Sequence, residues 1–182
     1  DQGKLDEAIT AFNKALHLEA DNAATYNNIG LTLKDQGKLE KAKESFNRAL
    51  SLKSDYAKAH RNLSTLVKYK PGNRQIKSVD QLLKRADTND GDKCRLHYAA
   101  AKMKEDIGEL EEAFKHLVDG GALRKKLLSY DLKQDQELFS RTKAAANIFE
   151  NLNLQLASEK INSTPIFILG MPRSGTTLIE QI

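Results

Sequence analysis

The sequence of 182 residues has little cysteine and proline and no long apolar run. Cys94 is the only cysteine, so no disulfide can form within the chain, and we expect its side chain to be a small apolar group of the core. The four histidines lie too far apart for the spacing of a Cys/His zinc site, which argues against a structural metal. No apolar stretch approaches the roughly 18 residues of a membrane span, and the first residues show no secretory pattern. We therefore expect a cytoplasmic protein with neither a metal site nor a membrane segment.

The two ends of the sequence predict a fragment of a longer protein. The chain begins without Met inside a helical pattern, DQGKLDEAITAF, and it stops at Ile182 soon after another helical pattern starts. A chain of this length accommodates one domain and part of a second. We therefore expect a second domain to continue beyond Ile182.

The net charge of +4 is unevenly distributed. Residues 57–85 carry eight Lys and Arg and a single Asp, which gives a local net charge of +7. This basic stretch favours an acidic partner, although a solvated helix face explains the same composition. It contains one aromatic residue, whereas a nucleic-acid platform interleaves several, so nucleic acid is not an expected partner.

Residues 1–22 and 35–56 are similar when the sequence is shifted by 34 positions, with 12 of 22 residues identical. The shared residues are small or apolar and recur at helical spacing, which places them on one helix face. They are Gly3/Gly37, Leu5/Leu39, Ala8/Ala42, Phe12/Phe46, Ala15/Ala49, Leu16/Leu50 and Leu18/Leu52. Because small residues let a neighbouring helix approach closely, the pattern predicts stacked helices.

This pattern resembles the tetratricopeptide repeat, which has a period of 34 residues and includes Leu-Gly and Ala-x-x-x-Phe motifs. Ala42 and Phe46 match the second motif, and Ile29-Gly30 occupies the place of the first. The proline that usually closes a repeat is absent, and Ser54 stands in its place in the second repeat. The resemblance implies a mainly α fold built as a tetratricopeptide solenoid.

The later repeats depart further from this pattern. A third repeat begins at Ala57 but is interrupted by Pro71 and Gly72, and a polar turn, TNDGD, separates it from a fourth that contains DIGELEEAF. Residues 134–152 form an amphipathic stretch that we expect to cap the last repeat, because a solenoid otherwise exposes an apolar end. The predicted domains are the repeat solenoid at 1–152, a linker at 153–164 and the start of a second domain at 165–182.

The resemblance also implies a binding surface, because stacked repeats form a concave face that holds a protein or peptide. Polar residues of the first helices of repeats two and three are expected there: Asn27, Asn28, Lys34, Arg61 and Asn62. Asn and Arg would clamp a peptide backbone or a carboxylate. The alternative is that these are ordinary solvated helix residues.

The last residues have the order of strand, loop and helix that a phosphate-binding loop needs. The run IFIL at 166–169 suits a buried strand of a parallel sheet, GMPRSGTT at 170–177 follows as the loop, and a helix pattern begins at Thr177. The N–H groups at a helix start bind an anion. Thr176 replaces the lysine of a Walker loop and Arg173 lies inside the loop, which favours a single phosphate at the helix end.

Residues Pro172 to Thr177 resemble the 5′-phosphosulfate loop of the sulfotransferases, P-[KR]-[ST]-G-T-[TS], at every position. The variant is similar to that of protein-tyrosine sulfotransferases and of bacterial proteins that join tetratricopeptide repeats to a sulfotransferase domain. The resemblance implies that residues 165–182 begin a truncated α/β domain. It also implies that the parent protein transfers a sulfuryl group from 3′-phosphoadenosine 5′-phosphosulfate to an acceptor hydroxyl, without a metal.

Residue roles follow from the same resemblance. The backbone N–H groups of Gly175, Thr176 and Thr177, together with the hydroxyls of Ser174 and one of these threonines, would hold the 5′-phosphate. Arg173 is implied to bind the nucleotide and to act as a catalytic residue, by neutralising charge on the leaving phosphate. The remaining site residues would lie beyond Ile182, so we expect this fragment to be inactive.

Two alternatives remain open from the sequence. The repeats can serve as an interaction scaffold whose second domain is not catalytic, or the loop can belong to a kinase-like nucleotide enzyme with an altered Walker motif. The basic stretch suits an acidic acceptor such as a peptide around tyrosine, whereas sugar and small-molecule hydroxyls are equally consistent with the loop.

Overall fold

The computed structural model describes the backbone of residues 2–151 and the side chains of residues 4–145. In this part of the chain the regular structure is entirely helical. The helices are α1 Gln2–Leu18, α2 Ala23–Asp35, α3 Leu39–Leu52, α4 Ala57–Ser64, α5 Arg74–Lys84, α6 Asp90–Asp106, α7 Leu110–Leu127 and α8 Leu132–Asn151. The chain divides into two compact units, Asp1–Leu132 and Lys133–Ile182. The predicted linker, strand and phosphate loop at 153–182 lie outside the described residues.

Helices of the first unit pack in the order that the 34-residue period predicts. The most extensive contacts are within two helix pairs, α2 with α3 and α6 with α7. These pairs are the second and fourth repeats, and α1 is the second helix of the first repeat. Successive repeats are joined by contacts of α1 with α2, α3 with α4 and α5 with α6. The first unit is therefore a solenoid of the tetratricopeptide type.

The turn between the two helices of a repeat has the same backbone conformation in repeats two and four. Gly37 and Gly108 occupy it with φ of 74° and 85°, a region that residues with a Cβ rarely adopt. In each turn the glycine N–H donates to the carbonyl three residues earlier, that of Lys34 at 2.9 Å or of Glu105 at 3.1 Å. Gly37 and Gly108, which recur with the repeat in the sequence, therefore form the turn between the two helices of each repeat.

The core consists of two clusters of buried side chains. The first cluster centres on repeat two and contains Ile29, Leu33, Ala42, Phe46 and Leu63. The second centres on α5 and α6 and contains Ala57, Tyr69, Ile76, Val79, Leu82, Leu96, Ala99, Ala100 and Met103. Val67 packs against both clusters.

The signature positions account for the packing of the first cluster. The Phe46 side chain is fully buried, and its ring lies so close to α2 that a Cβ on Gly30 would be 2.5 Å from Cε1. Glycine at the Leu-Gly position therefore makes room for the phenylalanine. The predicted role of the Ala-x-x-x-Phe motif as a core motif is confirmed at Ala42 and Phe46.

The third repeat differs from a regular one, as the prolyl interruption predicts. Its first helix, α4, is only eight residues long, and a segment at 65–73 separates it from α5. A buried polar chain holds this segment in place: the Tyr69 hydroxyl donates to Gln75 at 2.7 Å, the Gln75 amide to His60 Nδ1 at 3.2 Å, and His60 Nε2 to the Ser54 carbonyl at 2.9 Å. Burial lowers the pKa of His60, so the ring stays neutral and can accept at Nδ1.

Three further predictions concern the last repeat. The predicted turn TNDGD is shorter than expected, because α6 already begins at Asp90 with the Asn89 side chain accepting from the Asp92 N–H at 2.9 Å. Cys94 is a buried core residue, as predicted. The helix predicted from residue 134 onward is present as α8, while its role as a cap stays a prediction.

Candidate functional site

A groove on the first unit lies between α4, α6 and α7 and encloses about 470 Å³. This volume is within the roughly 300–1,000 Å³ that is typical of ligand sites. The lining residues are Arg61, Thr65, Tyr98, Ala101, Lys102, Glu105, Leu110, Ala113, Phe114 and Leu117. Two helices of the fourth repeat thus meet the short first helix of the third repeat at this groove.

The α7 side of the groove is an apolar wall. Leu110, Phe114 and Leu117 are 65%, 68% and 49% exposed, and their spacing of four and three residues aligns them on one face of α7. Ala101 and Ala113 are buried, so the groove has small side chains at its base. Contiguous exposed apolar side chains of this size often mark an interaction site.

The opposite side of the groove is polar. The Arg61 guanidinium carbon lies 5.7 Å from the centre of the Tyr98 ring, a cation–π contact. Within the described part of the chain, neither Arg61 nor Glu105 has an oppositely charged side chain within 4.0 Å. The groove therefore carries one cation and one anion that the described residues do not pair with an opposite charge.

The third charged residue of the groove, Lys102, is held by Asp106. The Asp106 carboxylate is almost fully buried and accepts from Lys102 at 2.5 Å, from Lys68 at 2.7 Å and from the Tyr69 N–H at 3.1 Å. Burial acts to raise the pKa of Asp106, but these hydrogen bonds outweigh burial and lower it to about 2. The carboxylate thus stays ionised and ties the 65–73 segment to the end of α6.

A histidine pair joins the two helices that form the apolar wall and the base. The Nδ1 atoms of His97 on α6 and His116 on α7 are 3.0 Å apart, so one ring donates and the other accepts. Burial lowers the pKa of both rings, and the neighbouring His116 lowers that of His97 further. Asp119 lies 4.0 Å from His97 Nδ1, yet no group of three His, Cys, Asp or Glu in the described chain is arranged to hold a metal ion.

Of the polar residues predicted to clamp a peptide on the concave face, only Arg61 lines this groove. Asn27 is 2% exposed and its Oδ1 accepts from the Asn62 amide at 2.9 Å. The Asn27 side chain is therefore buried rather than presented to a partner, whereas a role of the half-buried Asn62 in binding a partner stays a prediction. Arg61 does line the groove, whereas Asn28 and Lys34 are not among its lining residues.

The predicted basic stretch is partly neutralised by the protein itself. Lys68 pairs with Asp106, and Arg85 pairs with Asp87 at 2.6 Å and Asp55 at 3.7 Å. Charge counted along the sequence missed these partners because all three carboxylates, Asp55, Asp87 and Asp106, lie outside residues 57–85. The exposed cations of this stretch without an ion pair among the described residues are Lys58, Lys70, Arg74, Lys77 and Lys84.

Sequence reasoning missed Tyr98, Phe114 and the histidine pair. Phe114 and its neighbours were detectable in principle, since Leu110, Phe114 and Leu117 have the spacing of one helix face. The position of Tyr98 opposite Arg61 depends on how α4 packs against α6, which the irregular third repeat obscures. The predicted nucleotide-binding residues lie outside the described residues, and their roles stay predictions: Arg173, Ser174, Gly175, Thr176 and Thr177.

No helix in the described part is long and apolar enough to cross a membrane.

Comparisons with known proteins concern mainly the repeats. A family model described as TPR repeat matches residues 1–37, and one described as tetratricopeptide repeat matches residues 23–56. An uncharacterised protein of Aquifex aeolicus (strain VF5) is 31% identical over 116 residues, which are 63% of this chain and 15% of that protein. The chain thus spans only a small part of the length of this relative.

Among solved structures, the crystal structure of MamA is 18% identical, with 70% of this chain and 93% of that chain covered and a TM-score of 0.37. A likeness at this level supports no functional inference. The family models carry the assignment, since they match where the 34-residue period and the glycine turn are found. Residues 1–56 of the chain consist of tetratricopeptide repeats.

Proposed function

We propose that the first unit is a protein-interaction module that binds a polypeptide segment in the groove between α4, α6 and α7. The observation that carries this proposal is the apolar wall of Leu110, Phe114 and Leu117, exposed beside Arg61, which has no ion pair among the described residues. Tetratricopeptide repeats commonly bind proteins through surfaces formed by stacked helices, which supports the same function.

Loss of the central wall residue tests this function. A library of fluorescein-labelled dodecapeptides is titrated with the whole chain, and the tightest binder is measured again with Phe114→Ser. We expect the dissociation constant to rise at least tenfold, as for a central apolar anchor. Since Phe114 is 68% exposed, the melting temperature should not change.

A matched control is available on α8. Phe139 is 73% exposed, so Phe139→Ser removes the same side chain at a position that is not part of the groove lining. Equal affinities of wild type and both variants, or equal losses in both variants, would show that the groove is not the binding site.

For the parent protein we propose sulfuryl transfer from 3′-phosphoadenosine 5′-phosphosulfate, in a cytoplasmic setting. The support is the loop sequence from Pro172 to Thr177 alone, with Arg173 as the group that neutralises the leaving phosphate. Ser174, Gly175, Thr176 and Thr177 would hold the 5′-phosphate at the helix start. An acidic acceptor peptide is part of this proposal, because Lys58, Lys70 and Arg74 are exposed and have no ion pair with the residues that the structure describes.

Calorimetry on the full-length parent tests the nucleotide specificity. We expect binding of 3′,5′-diphosphoadenosine without Mg²⁺, and an Arg173→Ala variant that loses more in kcat than in affinity for this nucleotide. Thr177→Ala should act mainly on nucleotide affinity. Tight binding of ATP with Mg²⁺ and none of the diphosphate would instead favour the altered Walker loop.

A further inference from the structure

Resting on the proposed binding function of the groove, we propose that its occupant is an amphipathic helix of defined chemistry. This helix presents three apolar side chains, spaced by four and three residues, to the α7 wall. It carries a carboxylate at the end near Arg61 and a basic side chain at the end near Glu105.

The dimensions of the groove follow from the pairing of α6 with α7. Lys104 on α6 pairs with Glu109, next to the start of α7, at 2.7 Å. A Cβ on Gly120 would be 3.6 Å from the Tyr98 ring. The two helices are therefore antiparallel, and Leu110 lies at the Glu105 end while Leu117 lies at the Tyr98 end. Seven residues of helix separate these ends, which is about 10 Å.

A helix matches the apolar wall better than an extended peptide does. Over about 10 Å, a helix places three side chains with four- and three-residue spacing on one face, opposite the same spacing of Leu110, Phe114 and Leu117. An extended segment of that length has about three residues, whose side chains alternate between faces. Such a segment would turn only alternate side chains toward Phe114, the central and most exposed of the three.

The charges of Arg61 and Glu105 define which charged side chains the occupant must carry at its two ends. Arg61 lies over Tyr98 at one end of the groove, and Glu105 lies two helical turns along α6 at the other end. Lys102 between them is bonded to Asp106, which also accepts from Lys68, so Lys102 is held at that carboxylate and marks neither end of the groove. An occupant with a carboxylate toward Arg61 and a cation toward Glu105 is attracted at both ends of the groove. An occupant with the same charge at its two ends is repelled either by Arg61 or by Glu105.

Four synthetic 15-residue peptides test the proposal against the whole chain by fluorescence anisotropy at low salt. Three of them share one helical apolar face of three leucines and differ only in the residues at their two ends. One peptide has Lys at one end and Glu at the other, the second has Lys at both ends, and the third has Glu at both ends. The fourth has the Lys and Glu ends and a central proline on its polar face. We expect the Lys and Glu peptide to bind about two- to fivefold more tightly than either like-charged peptide. The proline peptide should lose at least tenfold, because proline breaks the helix.

Variants of the protein locate the charge preference. In Arg61→Gln combined with Glu105→Gln, the three helical peptides should bind with the same affinity. Lys58→Gln, which removes an exposed cation of α4 that is not in the groove lining, should keep the preference. Circular dichroism melting of each variant reports whether the fold is retained. If Arg61→Gln unfolds the protein, the peptides are measured with the single variant Glu105→Gln, because Glu105 is at an exposed position.

Each contrary result is distinct. Equal binding of the three helical peptides to wild type, with loss in Phe114→Ser, would overturn the charge assignment and leave the proposed function standing. Tight binding of the proline peptide would overturn the helical occupant. If sedimentation shows a dimer that the peptides dissociate, the occupant is a second copy of the chain and the proposal is wrong. Binding of none of the peptides, in the absence of any hit from the dodecapeptide library, would overturn both.

Discussion

The side-chain amide of Asn62 on α4 donates to Oδ1 of Asn27 on α2 at 2.9 Å, across 35 positions of the chain. This bond joins the first helices of two successive repeats at a site where Asn27 is almost fully buried. Asn62→Ala would leave the Asn27 amide without its partner. We expect the free energy of unfolding to fall by about 1–3 kcal/mol, as for an unsatisfied buried polar group.

Urea denaturation measures this loss, and Asn28→Ala is the matched control. Asn28 is exposed on α2, next to Asn27 in the sequence, so its replacement should change the free energy of unfolding by less than about 0.5 kcal/mol. Equal effects of the two substitutions would contradict the structural role of the asparagine pair.

Phe46 and Phe12 occupy the same repeat position but differ in burial. Phe46 is fully buried, whereas Phe12 in the first repeat is only partly buried. Phe46→Ala should therefore lower the free energy of unfolding by about 3–5 kcal/mol, and Phe12→Ala by clearly less. Chemical denaturation of both variants checks the order, and a loss under about 1 kcal/mol for Phe46→Ala would show that the repeat register is wrong.

The His97–His116 pair predicts a loss of stability in mild acid. With both rings protonated, two N–H groups would face each other at the 3.0 Å contact. The folded pKa values of both rings lie below the usual 6.5. Their contribution is therefore present above about pH 6.5 and is lost as the pH falls through the folded values.

The charged residues around the pair have opposing effects on its protonation. Asp119 raises the pKa of His97 while Lys93 lowers it. Asp80, Glu112 and Asp119 raise the pKa of His116 while Lys104 lowers it. Burial outweighs the carboxylates for both rings, so both pKa values stay below 6.5 and protonation in mild acid weakens the fold.

Denaturation of wild type and His116→Gln at pH 7.5 and pH 5.5 tests the pair. The glutamine amide can donate to His97 Nδ1 but does not titrate, so the variant should lose less stability between the two pH values. His60 titrates in both proteins and contributes equally. The same loss in both proteins would contradict a role of the pair in the pH dependence.

Asp106 predicts a second, more acidic transition. Its folded pKa of about 2 is below the usual 3.8, so its contribution is complete above about pH 4 and is lost as the pH falls through about 2. Asp106→Asn keeps the shape but leaves Lys68 and Lys102 without a charged acceptor. We expect a loss of about 1.5–3 kcal/mol at pH 7, which shrinks as the pH approaches 2.

Thermal unfolding at pH 7, 4 and 2 follows this convergence. Asp35→Asn is the control, because Asp35 is an exposed carboxylate with no ion pair among the described residues. If the Asp106→Asn difference stayed constant from pH 7 to pH 2, the carboxylate charge would not be the origin of its stabilising effect.

Local sequence patterns were sufficient for the repeats. The Ala-x-x-x-Phe motif and the paired glycines describe contacts within about one repeat, and their roles at Phe46, Gly37 and Gly108 follow from helix geometry and backbone sterics. The shortened α4 was signalled by Pro71 and Gly72. The helical ends were less well predicted, because Asn89 caps α6 inside what reads as a polar turn.

The candidate site could be predicted only in part, because its residues meet through packing between repeats. Arg61 was singled out as a polar residue of a repeat helix, but its partner Tyr98 is 37 positions away in a repeat of irregular spacing. Asn27 was predicted to lie on the concave binding face because it belongs to the first helix of repeat two, whereas its side chain is buried and a second asparagine satisfies it there. Lys68 was counted as a free charge, since its acceptor Asp106 becomes a neighbour only when the 65–73 segment folds against α6.

The two core clusters are connected through the third repeat. Val67 packs against both clusters, and α4 contributes Ala57 to one and Leu63 to the other. In a repeat array each element transmits order only to its neighbours. Packing between the two clusters therefore passes through α4 and the 65–73 segment. A substitution that loosens this region should weaken both clusters at once, whereas one inside a single cluster should act mainly on that cluster.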